Sequence, residues 1–190
     1  MTSSLLALTM ALAGATTATA EDRAPQVILE TTMGTITIEL TPELTPATVD
    51  NFLAYVDDDF YTGLIFHRVI DGFVAQGGGV DTDYQPRAGR APVVNEAAAG
   101  ESNSRGTIAM ARTSDPNSAT SQFFINLRDN TALDARAGEA GYTVFGRVVD
   151  GMDVVDAMAA VPTGAAGPFR SDAPLEPIVI TSASRGTAGQ

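Results

Sequence analysis

The chain has 190 residues and a net charge of −12, from 23 carboxylates against 11 cations, every one of them Arg; it has no Cys, no Trp and a single His, His67. These counts exclude a Lys-dependent phosphate loop or Schiff base, a disulfide, thiol nucleophile or Cys-ligated zinc, and any metal site with two His ligands. The acidic balance argues against nucleic acid or an anionic membrane surface as partner, and the length suits one domain with its own core.

Residues 1–20 carry no charged side chain. An apolar run at 5–15 leads to Ala18-Thr19-Ala20 and then Glu21-Asp22-Arg23. Small residues at Ala18 and Ala20 fit the cleavage site of a secretory signal, although no Arg or Lys precedes the apolar run. The run is too short for a membrane span, which needs roughly 20 residues. The expectation is a signal at 1–20 and a domain at 21–190 whose core spans about 27–182. The mature protein is then periplasmic or secreted, with no membrane contact after cleavage.

From Val27 the pattern alternates: Ile36, Ile38 and Leu40 point one way, Thr35, Thr37 and Glu39 the other. With Thr32-Met33-Gly34 as a turn, residues 26–31 and 35–40 predict a hairpin. Thr45 caps a helix whose first turn holds Pro46. Val49, Phe52, Leu53 and Val56 give that helix one buried face. Asp57-Asp58-Asp59 ends it as a solvated turn without EF-hand spacing. Apolar runs at 65–70, 73–76, 107–111, 122–126 and 143–149 have strand length. Gly77-Gly78-Gly79 reads as close backbone packing. A second helix fits 152–159, stopped by Val161-Pro162; a last strand fits 177–181, and 182–190 reads as a frayed tail. Many short strands with two helices predict a mainly-β closed barrel, which leaves no sheet edges.

Two stretches carry the chemistry. One is Phe66-His67-Arg68-Val69-Ile70-Asp71-Gly72-Phe73-Val74-Ala75-Gln76-Gly77-Gly78. The other runs from Arg105-Gly106-Thr107-Ile108-Ala109-Met110-Ala111-Arg112 through Asn117-Ser118-Ala119-Thr120 to Ser121-Gln122-Phe123-Phe124-Ile125-Asn126. With Leu133-Asp134, Gly141-Tyr142-Thr143-Val144-Phe145-Gly146 and Gly151-Met152-Asp153, they resemble the cyclophilin family of peptidyl-prolyl cis–trans isomerases. Tyr142, the long loop at 135–141 and the signal resemble its exported bacterial branch. The resemblance implies a closed eight-stranded antiparallel β-barrel capped by two α-helices. It implies an isomerase, needing no cofactor or metal, that acts as a monomer on proline-containing polypeptides and assists the folding of exported proteins. The competing class is a proline-peptide-binding chaperone or assembly module with incidental turnover.

By the same resemblance, Arg68 is the catalytic residue. Phe73 and Phe124 form the proline pocket, with Leu133 beside them. Gln76 and Gln122 are polar groove positions, and Gln76 can orient Arg68. Ala111 and Arg112 meet the residue before proline; the family often has Asn where Arg112 stands, so a backbone contact carries over but a side-chain role does not. Tyr142 supplies an aromatic wall with a polar tip. The family's Trp is replaced by Ala132, which predicts weak cyclosporin sensitivity, and Val74 stands where Met is frequent. From the residues themselves, strand alternation places Phe123 in the core opposite Phe124, and His67 on the face opposite Arg68. A hydrolytic triad with Ser121 and His67 lacks a Gly-x-Ser-x-Gly elbow.

Overall fold

The computed structural model describes residues 24–186; the expected signal at 1–20 lies outside the described residues. The alternating stretch forms β1 (Gln26–Thr31) and β2 (Gly34–Leu40), paired antiparallel with Val27 opposite Ile38 and Leu29 opposite Ile36. All four of these side chains are buried. The hairpin alone would leave both outer edges open. Six further strands close it: β3 (Leu64–Ile70), β4 (Val74–Asp81), β5 (Thr107–Met110), β6 (Phe123–Asn126), β7 (Val144–Asp150) and β10 (Ile178–Arg185). The barrel order is β1–β10–β3–β4–β6–β5–β7–β2, with every pair antiparallel.

Closure corrects one expectation. Residues 182–185 are not a frayed tail but the end of β10, with Ser184 opposite Ile28. Without them β1 would present an unpaired edge. A separate two-stranded hairpin, β8 (Thr163–Ala166) and β9 (Phe169–Pro174), lies outside the barrel and packs on β3.

Helix α1 (Pro46–Asp57) begins at Pro46 with Thr45 at the N-cap position, but the Thr45 side chain makes no capping hydrogen bond. The Thr45 hydroxyl donates to the Thr41 carbonyl instead (3.4 Å). The Glu96 carboxylate takes the capping role. It accepts from the amides of Ala47 (3.2 Å) and Thr48 (2.8 Å) and from the Thr48 hydroxyl (2.7 Å). A carboxylate there satisfies orphan donors and also complements the helix dipole, which a neutral hydroxyl does less well. At the other end Asp57 and Asp58 are not merely solvated: they pair with Arg185 and Arg90. The hydrogen bond from Arg185 holds the Asp57 carboxyl below its ordinary pKa.

The buried face of α1 enters the barrel. Phe52 lies 5.0–5.8 Å, centroid to centroid, from Tyr61, Phe123 and Phe145. Helix α2 (Met152–Ala159) adds Val155 and Met158 to the same core. Gly78, at φ +80°, passes so close to this aromatic group that a Cβ would stand 2.9 Å from the Phe123 ring.

Candidate active site

The site is built on the outer face of the barrel wall. Along β6, Phe123 points into the interior cluster, while Phe124 joins a second, smaller cluster with Val74, Ala109 and Val144. Phe73, Ala111, Leu133 and Tyr142 pack against that second cluster. Tyr142 meets Phe124 edge-on, with centroids 5.7 Å apart and planes at 74°. Together they floor a cavity of ≈ 360 Å³ lined by Arg68, Phe73, Val74, Gln76, Ala111, Arg112, Phe124, Leu133 and Tyr142.

Arg68 reaches this cavity because of a bulge. Phe66 pairs with Gly77 and Arg68 with Gln76, so β3 spends one more residue than β4 over that step. Phe66 and Val69 both enter the interior cluster, whereas the two residues between them meet, respectively, the hairpin outside the barrel and the cavity. Simple alternation, which set His67 and Arg68 on opposite faces, is therefore corrected. His67 stacks on Phe169 of β9 (5.1 Å, 26°), while Arg68 lines the cavity. Burial, aided by the nearby Arg68 charge, lowers the His67 pKa to about 4. Its Nδ1 has no partner, so a relay to Ser121, which needs both ring nitrogens engaged, does not form.

Arg68 is held by amides. Its Nη1 donates to Gln76 Oε1 at 3.3 Å, and Gln76 Nε2 donates to Gln122 Oε1 at 3.1 Å. Gln122 does not line the cavity; it stands behind Gln76 and fixes which end of that amide faces Arg68. Gly79 makes room for it, since a Cβ there would overlap the Gln122 side chain.

Arg112 has a side-chain position of its own. Its guanidinium lies 4.5 Å from the Tyr142 ring centroid. Its Nε donates to the Gly141 carbonyl and its Nη1 to that of Thr113, both at 2.9 Å.

Sequence reading missed what stands behind the walls. Asn103, Asn126 and Asn130 are buried and linked: Asn130 Nδ2 donates to Asn126 Oδ1 (2.9 Å), and Asn126 Nδ2 to Asn103 Oδ1 (3.2 Å). The chain ends at Asp134, which accepts from the Asn103 amide N–H (2.7 Å) and Nδ2 (3.0 Å). From this cluster Asn130 holds the Phe73 carbonyl (2.9 Å) and Asn103 the Tyr142 carbonyl (3.3 Å). Asp134 sits one residue past Leu133, so the cluster braces three walls at once. Burial works against the Asp134 carboxylate, but bonds from Asn103 and Ser102 outweigh it and keep its pKa below the ordinary value. The only sequence signal was Asn126 inside an otherwise apolar strand.

An apolar slot beside a tethered cation is suited to bind a small apolar ring and polarise the group next to it. The family model for cyclophilin type peptidyl-prolyl cis-trans isomerase/CLD matches residues 26–185. A peptidyl-prolyl cis-trans isomerase of Acinetobacter baylyi is 51% identical over 82% of this chain and 82% of its own length. Peptidyl-prolyl cis-trans isomerase B of Escherichia coli is 48% identical, over 82% of this chain and 96% of its own. A cyclophilin type isomerase of Cryptosporidium parvum, solved in the presence of the dipeptide Ala-Pro, superposes with a TM-score of 0.70 at 26% identity, covering 85% of this chain and 98% of that one. The chain belongs to the cyclophilin-type peptidyl-prolyl cis–trans isomerases.

Proposed function

We propose that the cavity holds the proline of an X-Pro bond and that Arg68 is the catalytic residue. The peptide bond resists rotation by roughly 18–20 kcal/mol because of its partial double-bond character. Midway through rotation that character is lost and the prolyl nitrogen regains a lone pair. Phe73, Phe124 and Leu133 would clamp the ring, and the Arg68 guanidinium would donate to the nitrogen as the lone pair localises. Such an interaction exists only in the twisted state, so it lowers the barrier rather than merely tightening binding. A rate gain of about 10⁴ needs only about 5.4 kcal/mol. The step uses no nucleophile, metal or cofactor.

The observation that supports this reading is the neutral tether: Gln76 fixes Arg68 at the cavity without cancelling its charge. The test is exchange NMR on a short X-Pro peptide. Arg68→Ala should cut turnover far more than it weakens peptide affinity. Equal losses would make the protein a binding module with incidental turnover.

We further infer export, supported by the apolar run and the small residues at Ala18 and Ala20. The clients are then exported polypeptides. N-terminal sequencing of the mature protein should begin near Glu21; a mature chain retaining Met1 would overturn it. The protein acts as a monomer: among the described residues the exposed large apolar side chains are Val94, Val149 and Leu175, far apart in sequence, with only Val149 in a strand. Light scattering at twice the chain mass would overturn that.

A further inference from the structure

The arginines among the described residues divide by partner and by place. Arg90, Arg105, Arg136, Arg147 and Arg185 each hold a carboxylate. Arg87 and Arg128 bond carbonyl and amide oxygens away from the cavity. Arg68 and Arg112 also hold no carboxylate, their hydrogen-bond acceptors being an amide oxygen and two carbonyls, and they alone line the cavity. Among the described residues no acidic side chain lines the cavity they share. In a chain of net charge −12, two cations thus line one groove. The carboxylates that share a neighbouring cavity with Arg112, Asp134 and Glu139, are engaged by Ser102 and Asn103 and by Arg136.

Arg112 is also fixed in place. Tyr142 supports the guanidinium from one face, and Gly141 and Thr113 take two of its five N–H donors. The remaining donors are pre-oriented, so little side-chain freedom is lost when a carboxylate meets them. Gly141 is needed for this: at φ +66° its backbone passes so close to Ala135 that a Cβ would overlap it.

We propose that Arg112 is a specificity-determining residue, selecting substrates with Asp or Glu immediately before the proline. This rests on the isomerase reading of the cavity and names its preferred substrate. Arg68 is committed to the prolyl nitrogen and its tether, which leaves Arg112 as the cation for a neighbouring side chain. The net negative charge of the molecule repels such peptides at long range, but that field is screened beyond about 8–10 Å in ordinary salt. Within the groove the local cations dominate.

The test is NMR titration of three matched peptides, Ala-Glu-Pro-Ala, Ala-Gln-Pro-Ala and Ala-Lys-Pro-Ala, giving both Kd and exchange rate. The Glu peptide should bind about tenfold more tightly than the Gln peptide, with the Lys peptide weakest. In Arg112→Gln the Glu-to-Gln ratio should fall to about one, whatever happens to the absolute affinities. Arg112→Glu should reverse the order of Glu and Lys. Equal Kd values for Glu and Gln, or a Glu preference that survives Arg112→Gln, would overturn the proposal. Absence of acceleration on all three peptides would count against the isomerase reading alone, because the order of Kd values is read in the same titration.

Discussion

Replacing Gln76 by Leu removes the one side-chain acceptor of Arg68 among the described residues, at 3.3 Å, while keeping a side chain of similar size at the cavity wall. A hydrogen bond to a charged group contributes about 1.5–3 kcal/mol net. Arg68 is half-buried, so water replaces part of what is lost and the lower figure applies. At 1.36 kcal/mol per decade, kcat/KM should fall about tenfold. The companion variant separates order from charge. Gln76→Glu would hold Arg68 more firmly, as an ion pair, but would cancel the field it presents to the prolyl nitrogen. If charge drives the reaction, the Glu variant should lose at least as much activity as the Leu variant, with the loss in kcat. Exchange NMR at saturating and sub-saturating peptide reads kcat and KM separately. A Gln76→Glu variant with unaltered kcat would refute the reasoning, since it would show that Arg68 needs only to be held still.

Three further outcomes follow from other parts of the molecule. Gly79→Ala pushes a Cβ into Gln122 and so disturbs Gln76 at one remove. It should lower kcat by several-fold while Gln122→Ala in the same background relieves the clash, and wild-type activity in Gly79→Ala alone would dismiss the relay. Glu96→Ala strips the acceptor from two helix amides and from the buried Thr48 hydroxyl; it should cost about 2–3 kcal/mol, lowering Tm by roughly 4–12 °C, with Glu96→Gln losing less than half as much. The folded state keeps His67 neutral down to about pH 4, against an ordinary imidazole pKa of 6.5, so the unfolded chain binds the extra proton first. Stability from this residue is full above about pH 6.5 and drains as pH falls toward 4, by about 3 kcal/mol. His67→Phe, which keeps a ring against Phe169, should flatten that decline in urea midpoints; an equal decline in both proteins would remove His67 as its cause.

What could be read from the chain was whatever a local period encodes. The alternation at 35–40 and the apolar face of Val49, Phe52, Leu53 and Val56 name a strand and a helix because burial acts on each element separately. Helix α2 has the bounds its pattern predicts. What stayed hidden depends on a partner far along the chain. Glu96 caps a helix that begins 50 residues earlier, at Pro46, and Arg185 pairs with Asp57 across 128 residues. Nothing at 182–185 announces a strand until β1 needs a neighbour. The bulge that turns His67 and Arg68 away from the core together is a matter of register with β4, which no single segment carries. β8 and β9 are short, mix small, polar and apolar residues, and bury only Ala173 and Pro174, so they leave no apolar run to find. The residues lining the cavity were reachable through long motifs, whereas the Asn103–Asn126–Asn130 brace is visible only once the segment holding Asn103 is placed against the end of β6 and the residues after it.

The same contrast explains why the groove is tethered as it is. This chain has 23 carboxylates and uses them freely to pin arginines on its surface, where an ion pair is worth little and does no harm. At Arg68 a carboxylate would hold the guanidinium better than an amide does, but it would remove what the twisted peptide bond requires, a positive field at the prolyl nitrogen. An amide fixes direction without compensating charge. A second amide, Gln122, then becomes necessary, because a lone glutamine can present either its oxygen or its NH₂ to Arg68, and only the oxygen can accept. Gly79 follows in turn, as the space that second amide occupies. Each member of the relay is therefore required by the one before it, and the order runs outward from a cation that must be held but not neutralised.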